Sequence, residues 1–264
     1  MATADRSVYH LALTTSMLEG ATVALLPGDP GRVEGLARHA PLTAARELAN
    51  KREYRTWMAY AGTVPVIVTS TGIGGPSASI AIDELAQLGI RTMIRVGTTG
   101  AIQAHVDVGD VVVTTGAVRL DGASRQYAPI EYPAVADYRV VQALVDAAKA
   151  AGVAARPGIS CTTDTFYPGQ ERHDSFTGYV PRRLQGATEE WRNLNVLNYE
   201  MEAATLLTLA SAMGLHAGCV AGVVVNRVKD EHVTAGALHL GEENAVAVAV
   251  RAVAEIAQGR VTFD

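Results

Sequence analysis

Cysteine and aromatic side chains are scarce in this chain, and positive charge never gathers into a block. The two cysteines, Cys161 and Cys219, lie in separate apolar stretches. They read as reduced core residues of a cytosolic protein rather than as a disulfide or a metal pair. Aromatic residues make up 5% while Ala, Val and Gly dominate, which suits tight α/β packing. A formal net charge of -5 without a basic patch argues against a surface that tracks nucleic acid phosphates. No apolar run has transmembrane length, and no signal-type apolar stretch opens the chain. A soluble, cytoplasmic protein with neither a membrane nor a nucleic-acid partner is therefore expected. Familiar catalytic devices are missing too: there is no G-x-S-x-G elbow, no cysteine with a matched histidine, no H-E-x-x-H and no zinc-ligand spacing. Covalent and zinc catalysis are thereby disfavoured.

What the chain does have is apolar character, 48% of 264 residues, enough for a large core. Short β-branched runs alternate with helical patterns. Strands are expected at about 21–26, 46–60, 64–70, 92–97, 111–115, 158–164, 195–201 and 216–225. Helices are expected at about 32–39, 77–88, 136–151, 202–213 and 241–259, several of them closed by glycine. Residues 123–133 read as a loop, 165–184 as a long irregular loop, and 228–240 as a mobile segment. There is no internal repeat or linker composition. The alternation predicts one α/β domain around a parallel or mixed sheet.

Polar residues recur where the buried runs end, and ends of strands are where α/β sheets bind ligands. Arg95 lies inside the apolar run 92–97, just before Gly97-Thr98-Thr99-Gly100. A buried guanidinium needs an anion opposite it, either an internal carboxylate or a ligand. Gly28-Asp29-Pro30-Gly31-Arg32 is a stiff turn into a helix and a candidate anion site, although it lacks the Gly-Lys-Ser/Thr ending of a P-loop. Glu200-Met201-Glu202 offers two carboxylates on one side of an extended segment, suited to a sugar diol. Equally, they could open the following helix, where acidic residues are favoured. Gln170 and Arg172 could read a flat heterocycle, or be ordinary loop polarity.

Taken together, these stretches resemble the nucleoside phosphorylase family, in its uridine-specific branch. The resemblance rests on L-L-P-G-D-P-G-R at 25–32, S-T-G-I-G-G-P-S at 70–77, R-V-G-T-T-G-A-I at 95–102, A-V-R-L-D-G-A-S at 117–124, D-T-F-Y-P-G-Q-E-R at 164–172, N-Y-E-M-E at 198–202 and V-V-V-N-R at 223–227. F-Y-P-G-Q-E-R carries the uridine branch in particular. The implied fold is a single domain over 1–264, with a central mixed, twisted, partly barrel-like sheet flanked by helices. The implied reaction is reversible phosphorolysis of uridine to uracil and ribose 1-phosphate, a step of pyrimidine nucleoside salvage and catabolism.

The same resemblance assigns residues. Phosphate, the co-substrate, falls to Gly28, Arg32, Arg95 and Thr98, with Arg52 given by a neighbouring subunit. Ribose falls to Met201 and Glu202, with His10 of the neighbour near the 5′-hydroxyl. The base falls to Thr99, Gly100, Phe166, Gln170, Arg172 and Glu200. Arg95, Glu202, Arg172 and Gln170 would carry the chemistry. No organic cofactor is implied. A potassium-type ion at a dimer two-fold is, matched by Glu53, the Ile73 carbonyl and Ser77, within a homo-hexamer built as a trimer of dimers.

Purine phosphorylases and nucleosidases of this fold place a Ser-Asp pair after the late strand, where this chain has Asn226-Arg227. A silent nucleoside-binding protein would be expected to have lost some phosphate arginines, yet all are present. Departures from the family pattern are Lys51 in place of a frequent histidine, Thr162-Thr163 in place of serine, and the stretch 229–239. Nothing in the sequence ranks uridine against deoxyuridine or thymidine.

Overall fold

The computed structural model describes residues 5–263. Its centre is a single ten-stranded sheet. The strands are β1 (Val23–Pro27), β2 (Thr43–Lys51), β3 (Tyr54–Ala61), β4 (Val64–Thr69), β5 (Thr92–Ala101), β6 (Val111–Leu120), β7 (Ala134–Val135), β8 (Ala155–Thr163), β9 (Val196–Glu200) and β10 (His216–Asn226). The helices are α1 (Val33–Ala37), α2 (Gly75–Leu88), α3 (Ala123–Tyr127), α4 (Tyr138–Ala151), α5 (Ala187–Asn193), α6 (Ala203–Ala212) and α7 (Ala235–Ala257).

Strand order runs β10-β6-β8-β9-β5-β1-β4-β3-β2, and β10 also pairs with β5. That extra pairing closes β5, β9, β8, β6 and β10 into a ring, so the sheet is part barrel and part open. It is mixed: β5 runs parallel to β1 and β10 but antiparallel to β9. The open part ends in the β2–β3 hairpin, whose register is interrupted twice, between Thr43 and Arg46 and between Glu47 and Ala49.

All of β1 is buried, as a strand covered on both faces requires. Alternate residues then feed two cores. Val23, Leu25, Ile94 and Val96 face α1, α4 and α7, whereas Ala24, Leu26 and Met93 face α2 and α6. Cys161 and Cys219 are buried and unpaired. Among the described residues, no helix is long and apolar enough to cross a membrane.

The expected elements are present, β5 and β6 run on past their expected ends to Ala101 and Leu120, and α5 and β7 are additions that the sequence reading did not contain. Two further differences have a visible physical cause. The stretch 123–133, expected as loop, opens with α3. Asp121 accepts the Ser124 N–H and hydroxyl, both at 2.7 Å, and buried Arg119 donates to the carbonyls of Ser124, Ala128 and Pro129. Two side chains just upstream of the helix thus supply a cap and carbonyl bonds, and no hydrophobic periodicity announces them. Likewise α7 starts at Ala235, six residues before the expected 241, because the Thr234 hydroxyl accepts the Ala237 N–H at 3.1 Å.

Helix α7 approaches β10 so closely that a Cβ on Gly222 would lie 1.8 Å from the Gly241 carbonyl oxygen. Gly222→Ala is therefore expected to cost about 3 kcal/mol, a fall of roughly 10 °C in melting temperature. Gly236→Ala, where no neighbour lies within 4 Å, should instead leave stability unchanged or raise it by about 1 kcal/mol. Thermal melts followed by circular dichroism compare the two.

Candidate active site

The ends of β1, β4, β5, β9 and β10, together with the loop after β8, surround a cavity of about 680 Å³. Its lining brings together Gly28, Arg32, Arg95 and Thr98, Met201, Glu202 and Glu200, and Thr99, Gly100, Phe166, Gln170 and Arg172, with Glu53 and Ile73 among the same residues. Residues far apart in sequence thus come together because parallel strands bring their ends to one side.

At the anion-seeking end, Asp29 accepts the Gly31 N–H at 2.7 Å and fixes the turn that carries Arg32. Gly28 has no room for a side chain: its Cβ would sit 3.3 Å from the Gly72 carbonyl and 3.8 Å from the Arg95 guanidinium. The absence of that side chain lets the backbone come close to whatever Arg95 binds. Among the described residues the Thr98 hydroxyl makes no hydrogen bond.

Arg95 itself is 9% exposed. One terminal nitrogen pairs with Glu202, Nε lies 3.8 Å from Glu200, and Nη1 is buried with no partner at all. Burial opposes its charge, but Glu202 and then Glu200 outweigh that and hold it protonated. Internal carboxylates therefore satisfy part of the guanidinium, and one donor is left over.

The two carboxylates differ. Glu200 ends β9 and turns into the helix start, where its Oε2 accepts the N–H groups of Glu202 and Ala203 at 2.8 and 2.7 Å. Its other oxygen takes the Thr162 hydroxyl. Burial first, and the neighbouring Glu202 charge second, push its carboxyl up to about 7. Glu202 uses one oxygen for the Gly74 N–H, at 2.5 Å, and the other for Arg95. So the helix-opening alternative describes Glu200, whereas Glu202 is held at the cavity by a charge that a ligand can compete for.

At the far end, Arg172 is buried, its guanidinium carbon lies 4.3 Å from the Phe166 ring centroid, and its Nε has no partner. Burial, then the charge of Arg227, lowers its pKa. Gln170 is 4% exposed, and its side-chain nitrogen lies 3.4 Å from the Thr163 hydroxyl. Thr99 lines the cavity, but its hydroxyl is spent on the sheet: it donates to the Tyr199 carbonyl at 2.6 Å and accepts from Asn198 at 2.8 Å. Asn226 is likewise committed, to the Gln103 and Val106 carbonyls and the Val228 N–H. No acid therefore stands at the end of β10.

Three expected residues lie outside the cavity. Arg52 is exposed at the β2–β3 turn with φ +57°. His10 is held by Glu84, which accepts its Nδ1 at 2.7 Å and its backbone N–H at 2.9 Å. Ser77 donates to the Thr71 carbonyl at 2.5 Å and lies 3.2 Å from Glu53. Arg227, marked in the sequence with Asn226 at the end of a buried run, bonds the Gln170 carbonyl at 2.9 Å and Glu231 at 2.8 Å. Conversely, Glu231, Glu84 and Glu242 carry contacts that the sequence did not single out.

A model of the phosphorylase superfamily matches residues 22–259. The chain belongs to the phosphorylase superfamily. Within it, uridine phosphorylase of Escherichia coli (strain K12) is 55% identical over 245 residues, 93% of this chain and 96% of that protein. Uridine phosphorylase of Thermococcus kodakarensis is 48% identical over 250 residues, 95% of this chain and 87% of that protein. Guanosine phosphorylase of Halorubrum lacusprofundi is 40% identical over 207 residues, covering 78% and 79%.

Glu200 gives the ligand-free protein a pH signature. Its folded pKa lies above the ordinary carboxylate value, so the native state holds the proton longer than the unfolded chain. Stability from this group is full below about pH 4.5 and is lost as pH rises towards 7, roughly 3 kcal/mol in all. Glu200→Gln should flatten that slope relative to the native protein. Urea titrations at a series of pH values across this window measure it, and parallel slopes would contradict the raised pKa.

Proposed function

We propose that the chain catalyses the reversible phosphorolysis of uridine, giving uracil and ribose 1-phosphate. The observation that carries this reading is the pair of unpartnered buried donors, Arg95 Nη1 and Arg172 Nε, on residues lining the same cavity as Glu202. Each is a donor that lacks an acceptor until a ligand supplies one. The 48–55% identity to uridine phosphorylases over most of the chain supports the same choice of substrate.

In this reading phosphate sits against Gly28, Arg32, Arg95 and Thr98, and takes over the guanidinium that Glu202 holds. Glu202 is then free to accept the ribose 2′- and 3′-hydroxyls beside Met201. The leaving uracil lies by Phe166, Thr99 and Gly100. As the glycosidic bond lengthens, C1′ becomes oxocarbenium-like and the pyrimidine becomes anionic. Phosphate beneath the sugar stabilises the first and then attacks C1′. Arg172 and Gln170 stabilise the second, by donors aimed at oxygens where charge develops. Uracil spreads its charge over two carbonyl oxygens, so no acid is needed where Asn226 stands, and no organic cofactor enters. Glu200 contributes from behind, by holding the start of α6 and so the placement of Glu202.

His10 and Arg52, outside their own chain's cavity, act in that of a neighbour within a hexamer assembled from dimers. Glu84 prepares His10 for this by engaging Nδ1 and leaving Nε2 outward. Glu53, the Ile73 carbonyl and Ser77 provide three oxygens, half the shell that a hard cation takes. A second copy across a two-fold would complete it around a potassium-type ion. The domain is the whole chain, 1–264, and the two buried free thiols suit the cytoplasm.

The purified protein should consume uridine only when phosphate is added and scarcely touch inosine, as followed by ultraviolet absorbance. Cleavage without phosphate would make it a nucleosidase instead. Arg172→Ala should cut uridine turnover by roughly 100-fold or more while phosphate still binds. Sedimentation should find an oligomer, whereas a fully active monomer would remove His10 and Arg52 from the site.

A further inference from the structure

The phosphate-seeking arginine of this cavity, Arg32, has a single side-chain partner among the described residues, Glu242. The two lie 210 positions apart in sequence. Only one guanidinium nitrogen is engaged, and the rest of the group is left to the cavity that Arg32 lines. Glu242 does not itself line the cavity.

A carboxylate in this position has two conceivable effects. On a mobile segment it would compete with the incoming anion for Arg32. From a rigid support it would instead hold Arg32 by one edge and present the other. The local structure is rigid. One residue earlier, Gly241 packs so tightly on β10 that a Cβ would come within 2.9 Å of the Val223 carbonyl oxygen. Two residues later, Asn244 donates to the Gly109 carbonyl at 2.7 Å, and Gly109 in turn donates its N–H to Val223 at 2.9 Å. Glu242 is thus pinned between two fixed points on α7.

We propose that Glu242 is a positioning residue for phosphate, anchoring Arg32 so that its free nitrogens face the bound anion. The proposal rests on the reading of Arg32 as a phosphate ligand. An arginine held at one edge has already lost most of its rotamer freedom, so less ordering remains to be done when phosphate arrives. Placement of α7 against β10 then reaches the anion site through one side chain.

The experiment is phosphate binding by calorimetry, with inorganic phosphate as the probe, alongside steady-state uridine turnover. Glu242→Asp keeps the charge but falls short of Arg32, and Glu242→Ala removes both. Each should weaken phosphate binding by roughly fivefold and raise the phosphate KM to match, with kcat and uridine KM little changed. Glu242→Gln keeps the reach and an acceptor oxygen, and should stay close to native. In an Arg32→Ala background the Glu242 substitutions should have no further effect. Unchanged or tighter phosphate binding in Glu242→Ala or Glu242→Asp would overturn the proposal, as would losses that add to that of Arg32→Ala. Should the Glu242→Ala protein fail to fold, the Asp and Gln variants still decide it. Calorimetry reads phosphate binding directly, so these outcomes stand even if uridine proves not to be the substrate. Uridine left untouched by a native protein that binds phosphate would sink the functional reading alone.

Discussion

The buried cluster of Arg95, Glu202 and Glu200 is the constraint on which the rest of this protein is arranged. One guanidinium sits among two carboxylates in a strand that both cores need, and none of the three charges is cheap to bury. The surrounding fold answers by giving each a fixed set of bonds. The first N–H groups of α6 and the Thr162 hydroxyl hold Glu200, and the Gly74 N–H holds Glu202. Such a cluster contributes little to stability compared with an apolar core of the same volume. Its value is in leaving Arg95 charged, oriented and one bond short at a place where an anion can enter.

That arrangement also explains why the cavity needs no nucleophile of its own. The attacking group arrives as phosphate, and the leaving base carries away its own charge. What the chain must then supply is placement and preorganised dipoles, and in the proposed reading the arginines that line the cavity supply both. Phe166 lies against the planar guanidinium of Arg172, and Arg227 beside it raises the local positive potential.

Much of this was legible in the sequence because it is encoded locally. Buried runs such as 92–97 and 216–225 announce strands, and Gly89 and Gly152 close helices in the left-handed region as expected. The ends of those runs gave Gly28, Arg32, Arg95 and Thr98 directly. Spacing could not separate Glu200 from Glu202. The two differ in which backbone N–H groups they meet, and that depends on where α6 begins. Nor could it find Glu242 or Glu84, which reach Arg32 and His10 across 210 and 74 positions. Helix α3 was missed for a different reason, since it is a single short turn held by the side chains of Asp121 and Arg119 just upstream and shows no apolar periodicity. The start of α7 was obscured by Gly236 and Gly241, which weaken a helical pattern even where a threonine cap and tight packing secure the helix.

Closure of five strands into a ring leaves the sheet with one long free margin, strand β2. Two interruptions of its register, with Arg46 and Glu47 placed between them, make that margin a poor template for another strand. Copies of the chain are thereby discouraged from stacking edge to edge into open-ended fibrils.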